Sequence, residues 1–125
     1  MDLELFFQAV LRQNAALLRS FFHEDAVIRW HCTNECFTVE EYIRANCEYP
    51  GQWGGIIERT EERDSLRIMA CRVYPTDKSV SFHVVSFIRL AGEKIAALDE
   101  YWADDGLPPM WRRQMSIGKP IHSKA

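Results

Sequence analysis

The chain predicts an α+β fold: N-terminal helices packed in the concave side of a strongly curved, mostly antiparallel sheet, a cone with an internal cavity. Two observations carry this. Apolar residues recur at helical spacing only in the first part of the chain, whereas from residue 56 onward long β-branched and aromatic segments follow one another across short turns. Helices grouped ahead of a strand meander, rather than alternating with strands, place the helices on one side of an antiparallel sheet. Long strands folded over helices leave a cone, whose open mouth is a natural ligand cavity. At 125 residues the chain is read as a single domain, 1–125, with its core over about 2–112 and a tail over 113–125.

The elements follow in order. Leu3, Phe6, Phe7, Val10 and Leu11 behind Asp2 predict a helix over 3–12. Asn14 is an N-cap for a second helix from Ala15 to Phe22, with Leu17, Leu18, Phe21 and Phe22 inward, and the polar His23-Glu24-Asp25 ends it. AVIRWH at 26–31 reads as a strand. Thr38 and Glu41 form a capping box that opens a third helix to about Asn46, itself read as the cap at the helix end. Tyr49 to Gly55 is loop by composition. Strands are expected over 56–63, 66–74, 79–90 and 94–103, joined by hairpin turns.

Composition excludes several functions. A net charge of −3 with both signs mixed offers no basic stripe, so no nucleic-acid partner is expected. Trp111-Arg112-Arg113 and the tail are ordinary surface charge. No apolar run approaches a membrane span, and Asp2 and Glu4 stand where a secretory signal carries basic residues, so no membrane partner and a cytoplasmic location are expected. Cys32, Cys36, Cys47 and Cys71 lack the paired spacing of a zinc site and read as reduced packing residues. Asp104-Asp105-Gly106 lacks the alternating oxygen ligands of a calcium loop and reads as a turn ending the last strand. No metal or cofactor is expected.

FFHEDAVIRWH at 21–31, the helix opened by Thr38, and KIAALDEYWADDGLPPMW at 94–111 resemble the SnoaL-like branch of the nuclear-transport-factor-2-like superfamily, over about residues 2–121. TNE at 33–35, ANCEYPGQW at 45–53 and EYWADDG at 100–106 resemble small SnoaL-like proteins mostly without an assigned reaction. The resemblance implies a cystatin-like α+β cone, and it implies that the functional carboxylate of epoxide-hydrolase-like relatives corresponds to Glu100. Trp30 stands near the place where ketosteroid-isomerase-like relatives carry their base. That mechanism needs a carboxylate there and a Tyr on the first helix, and the chain has no Tyr before Tyr42, so the activity is not carried over.

A two-residue turn at Gly92-Glu93 would pair Ala91 with Lys94 and set His83 opposite Trp102, with Val85 opposite Glu100. His83, Val85, Glu100 and Trp102 would then share the cavity face; a slip of one residue would pair His83 with other partners. Glu100 is the candidate acid/base and His83 its candidate partner. Trp30, Asn34, Glu35, Tyr49, Trp53, Arg59 and Trp102 are candidate ligand contacts, with Arg59, Asn34 or His83 polarising a substrate. The alternative is a structural Glu100 that bridges to Arg59 or Arg72. Tyr49 and Trp53 flank Pro50-Gly51 in a loop expected to close part of the mouth.

The fold implied by the resemblance dimerises through the sheet's outer face, where Val84, Ile88, Ile95, Ala97 and Tyr101 are expected; the tail would drape over the mouth or the partner. Two functions are expected from these residues. One is a cofactor-independent enzyme of isomerase, hydratase or hydrolase type acting on a compact organic molecule. The other is a non-catalytic dimer that binds or senses such a ligand.

Overall fold

The helices begin where side chains take up free backbone amides. Asp2 accepts from the Leu5 amide and opens α1 (Leu3–Leu11); Asn14 accepts from Leu17 and opens α2 (Ala15–Ser20). Thr38 accepts from the Glu41 amide while the Glu41 carboxylate accepts from the Thr38 amide, the reciprocal box that opens α3 (Val39–Cys47). These contacts come from a computed structural model that describes residues 1–122.

Six strands form one curved sheet in the order β2-β1-β6-β5-β4-β3: β1 (Phe22–Trp30), β2 (Glu35–Phe37), β3 (Trp53–Arg63), β4 (Leu66–Pro75), β5 (Phe82–Ala91) and β6 (Lys94–Asp104). Neighbours are antiparallel except β1 and β6, which are parallel. The core lies between the helices and the sheet's inner face, where Phe6, Leu18, Ile28, Ile88, Ile95 and Leu98 are fully buried.

Several boundaries differ from the sequence expectation, each for a tertiary reason. The second helix stops at Ser20 because Phe21 and Phe22 join the sheet: the Phe21 carbonyl accepts from the Ile95 amide, and Phe22 pairs with Ile95. The polar His23-Glu24-Asp25 therefore lies within β1, across an irregularity in its pairing. Trp53-Gly54-Gly55 is strand rather than loop, paired with Val73 to Pro75. A Cβ on Gly55 would stand 2.7 Å from the Arg72 carbonyl oxygen and 2.7 Å from Phe7, so the glycine is what lets α1 lie against β3. Asn46 sits inside α3, and its amide donates to the Val10 carbonyl rather than capping the helix. A 3-10 turn (His31–Thr33) and β2 were not legible in the sequence.

The β5–β6 hairpin corrects the predicted register. Ala91 pairs with Lys94 and Leu90 with Ile95, as a two-residue turn at Gly92-Glu93 requires. A bulge then pairs Arg89 with Ala97 and leaves Ala96 as the extra residue. From there the pairs are Ser86 with Glu100, Val84 with Trp102 and His83 with Ala103. Glu100 and Trp102 thus face inward beside Ser86 and Val84, while His83 faces outward. The expected outer patch is corrected as well, because Val84, Ile88 and Ile95 are core residues. Ala97 and Tyr101 are on the outer face as expected, joined there by Val85 and Phe87, and the rings of Phe87 and Tyr101 lie 6.0 Å apart.

A short α4 (Met110–Arg113) follows the sheet, and Leu107, Trp111 and Ile117 around it are exposed. Residues 123–125 of the tail lie outside the described residues. Among the described residues no helix is long and apolar enough to cross a membrane.

Candidate functional site

The inner face of β6 carries Leu98, Glu100 and Trp102 in turn, and parallel pairing sets Trp30 of β1 beside Glu100. Glu100 is 5% exposed and accepts from three neutral donors. Its Oε1 accepts from the indole Nε1 of Trp30 at 3.1 Å and of Trp102 at 3.3 Å, and its Oε2 accepts from Ser86 Oγ at 2.5 Å. Burial pushes the Glu100 carboxyl above the usual carboxylate range, and the three hydrogen bonds pull the other way without cancelling it. Nearby, burial and the charge of Glu100 both raise the Tyr42 phenol, and the same two causes push the Cys71 thiol up to about 12.

Around this cluster opens a cavity of about 380 Å3. Trp30 and Trp102, with ring centres 6.4 Å apart, form one part of its lining. Trp53 forms another, with Tyr49 at 5.2 Å and Phe82 at 6.1 Å from its ring. Val10 and Leu11 at the end of α1 and Ala45 of α3 complete the apolar wall. Glu100 is not among the lining residues; it meets the cavity through the two indoles it holds.

The polar lining is held by internal bonds. Gln13, in a left-handed conformation between α1 and α2, donates from Nε2 to the carbonyls of Asn46 at 2.9 Å and Tyr49 at 2.6 Å. This ties the start of the Tyr49 loop to the end of α1. Asn46 Nδ2 donates to Val10, Trp53 Nε1 to Pro50, and Thr33 Oγ1 to the Glu35 carboxylate. Asp104, the last residue of β6, pairs with Phe82 and reaches the same cavity.

Of the residues singled out from sequence, Trp30, Glu35, Tyr49, Trp53 and Trp102 line the cavity, and Glu100 lies against its Trp pair. Three do not come to it. His83 is on the outer face because of the β6 bulge, between Asp105 on Nδ1 and Glu58, whose carboxylate is 3.1 Å from Nε2. Its hydrogen bond to Asp105, joined by Glu58, holds its pKa above the usual histidine value, so it is an ion-pair histidine on the opposite face of the sheet from Glu100. Arg59 follows an irregularity in β3 and points to solvent, paired with Glu61 at 3.1 Å. Asn34 supplies the left-handed residue after the 3-10 turn (φ 56°) and is exposed. Neither Arg59 nor Arg72 bridges to Glu100; Arg72 pairs with His83 across the outer face.

Ser86, Gln13, Phe82, Thr33 and Asp104 are site residues that the sequence reading missed. Ser86 had a signal: it is the one hydroxyl inside the apolar run Val84 to Ile88. Asp104 was read as turn because the strand runs a residue further than its pattern suggests. Gln13 had no signal, since its place depends on a backbone turn that alternation cannot show.

No protein-family model matches the chain, and no curated protein sequence matches it. Solved structures do. A candidate ketosteroid isomerase from Kribbella flavida DSM 17836 superposes with a TM-score of 0.79 at 18% identity, covering 95% of this chain and 87% of that one. An NTF-2 like protein of unknown function from Burkholderia xenovorans LB400 gives 0.77 at 18% identity, over 96% and 92%. A protein with ketosteroid isomerase-like fold from Catenulispora acidiphila DSM 44928, in complex with trimethylamine, gives 0.68 at 14% identity, over 79% and 82%. A candidate SnoaL-like polyketide cyclase and a cystatin-fold protein share the architecture. At such identities the likeness is one of fold, and the fold of this chain is the NTF2-like α+β cone.

Proposed function

We propose that the chain is a small-molecule-binding domain whose ligand enters the cone cavity. The observation that carries this is the cavity itself: about 380 Å3, lined by three indoles, a phenol and a phenyl ring, with its polar groups gathered at few positions. A protein of the same fold is solved in complex with trimethylamine, which supports the binding of a small organic molecule by this fold.

Binding is better supported than catalysis. A general acid or base must come within about 2.6–3.2 Å of the proton it moves. Glu100 is separated from the cavity by the two rings it holds, and its oxygens already accept three hydrogen bonds. The second reading, a cofactor-independent isomerase, hydratase or hydrolase with Glu100 as its acid, draws on one observation: burial raises that carboxyl in the direction a general acid needs.

Ala45→Trp fills the cavity from α3 and tests the binding reading. Native mass spectrometry of the purified protein is expected to find an organic molecule retained by the native chain and absent from Ala45→Trp. Equal retention by a folded Ala45→Trp protein would place the ligand elsewhere and end the reading. Under the enzyme reading, Glu100→Gln keeps ligand affinity and loses turnover.

A homodimer through the outer sheet face belongs to the same proposal, supported by the patch of half-buried Val85 and Phe87 beside exposed Tyr101. A cytoplasmic location is supported by four unpaired cysteines. Neither a nucleic acid nor a membrane is proposed as a partner.

A further inference from the structure

We propose that the cavity selects an organic cation, an alkylated ammonium with a compact apolar body. This rests on the cone cavity being the ligand site, and it follows from which polar groups there remain free.

The side-chain donors are already engaged. The indole N–H groups of Trp30 and Trp102 both point to Glu100, and that of Trp53 points to the Pro50 carbonyl. Gln13 and Asn46 use their amide N–H groups on backbone carbonyls, and the Thr33 hydroxyl donates to Glu35. The exceptions are the Tyr49 hydroxyl, on a half-exposed ring, and the Cys32 thiol, a weak donor. Among the described residues no Lys, Arg or His lines the cavity.

What remains is acceptor and ring. Glu35 and Asp104 bring two carboxylates to the lining, and neither has a cationic partner among the described residues. An anionic ligand would lose its water beside these acids and find no cation in return. A ligand recognised through a carbonyl would leave that oxygen without a side-chain donor in the interior. A cation meets the opposite situation. Where it meets the face of Trp30, Trp53 or Trp102 the ring quadrupole attracts it, and the carboxylates reinforce the attraction. An alkylated ammonium suits the site better than a primary one, because three N–H donors would each need an acceptor within a wall made mostly of ring carbon.

Glu100 contributes as a positioning residue. By taking both indole N–H groups it turns the donor edges of Trp30 and Trp102 away from the cavity and leaves ring carbon to line it.

Three probes of matched shape separate the possibilities: choline, its neutral carbon isostere 3,3-dimethylbutan-1-ol, and the anion 3,3-dimethylbutanoate. Tryptophan fluorescence titrations and calorimetry at about 150 mM salt follow binding, where long-range surface attraction is screened. Choline is expected to bind at least about tenfold more tightly than the alcohol, and the anion more weakly still. Asp104→Asn, on the exposed end of β6, is expected to weaken choline about threefold to tenfold more than it weakens the alcohol, and an equal effect on both overturns the cation proposal. Equal or tighter binding of the alcohol or the anion overturns the cation proposal while leaving the cavity as the binding site. Absence of choline binding overturns it as well, with retention of a copurified molecule by the native chain but not Ala45→Trp still upholding the cavity. Choline binding that Ala45→Trp leaves intact overturns both.

Discussion

Glu100→Gln isolates what the buried carboxyl does. The amide is the neutral counterpart of a carboxylic acid, so its carbonyl goes on accepting from the indoles of Trp30 and Trp102, while its N–H donates to Ser86 once that hydroxyl turns. All three contacts survive, and the expected change below the carboxylate range is within about 1 kcal/mol. Glu100→Ala removes the acceptor and leaves two indole N–H groups and a buried hydroxyl unpaired, at about 1–3 kcal/mol each. A loss of roughly 3–9 kcal/mol is expected, against a total stability of about 5–15 kcal/mol for a domain of this size. The pH dependence adds a second signature. Burial holds the Glu100 carboxyl above its ordinary value, so the folded chain keeps a proton that the unfolded chain has released. Its contribution is complete below the ordinary carboxylate range and is lost as pH rises through the raised folded value. Tyr42 and Cys71, the titratable groups that sense Glu100, are both raised and stay neutral across this window. His83 and Asp105 titrate alike in both proteins and cancel in the difference. Urea denaturation between about pH 4 and about pH 8 should therefore show Glu100→Gln gaining on the native chain as pH rises. Parallel curves, or a loss as large as that of Glu100→Ala, would refute the account of Glu100 as a buried acid held by neutral donors.

Gly55→Ala places a Cβ against the Arg72 carbonyl and Phe7, and a loss of about 1–3 kcal/mol by thermal denaturation is expected; an unchanged melt would mean that α1 does not pack against β3 as described. The imidazole of His83 should titrate above the usual histidine value by NMR, and Asp105→Asn should bring it down. The stability it contributes is present below the usual histidine value, is lost as pH rises through the raised one, and at this exposed site amounts to at most about 1 kcal/mol. Iodoacetamide should label Cys32 and Cys36 in the native protein and Cys71 only after unfolding, because Cys71 is fully buried with its thiol pushed up to about 12; native labelling at Cys71, read by mass spectrometry, would contradict its burial. Phe87→Glu should convert a native dimer to monomer in sedimentation velocity, and a native chain that sediments as a monomer would end the dimer proposal.

Local chemistry was legible and long-range geometry was not. Asp2, Asn14 and Thr38 cap the helices as their residue types predict, because capping needs only a backbone amide three residues away. The inward placement of Glu100 and Trp102 was expected although their partners on β5 were assigned one residue out, and the reason lies in the sheet. Alternation reports which residues of one strand share a face, but it cannot show where a bulge resets one strand against the next. Ala96 fits either face, so nothing in Lys94-Ile-Ala-Ala-Leu98 marks it as the extra residue. The face that β6 turns inward is held from its other neighbour: Ile28 pairs with Leu98 and Trp30 with Glu100, two buried aliphatics and a hydrogen-bonded indole–carboxyl pair. Moving β6 by one residue would expose Leu98 and bury Asp99, which now meets Arg29 and His31 on the outer face. The bulge costs a single unpaired residue near the turn, whereas that slip would cost the core and the Trp pair together. The hairpin therefore adapts to the parallel β1–β6 pairing, His83 is carried outward with it, Val84 stands opposite Trp102 where His83 was expected, and Ser86 stands opposite Glu100 where Val85 was expected.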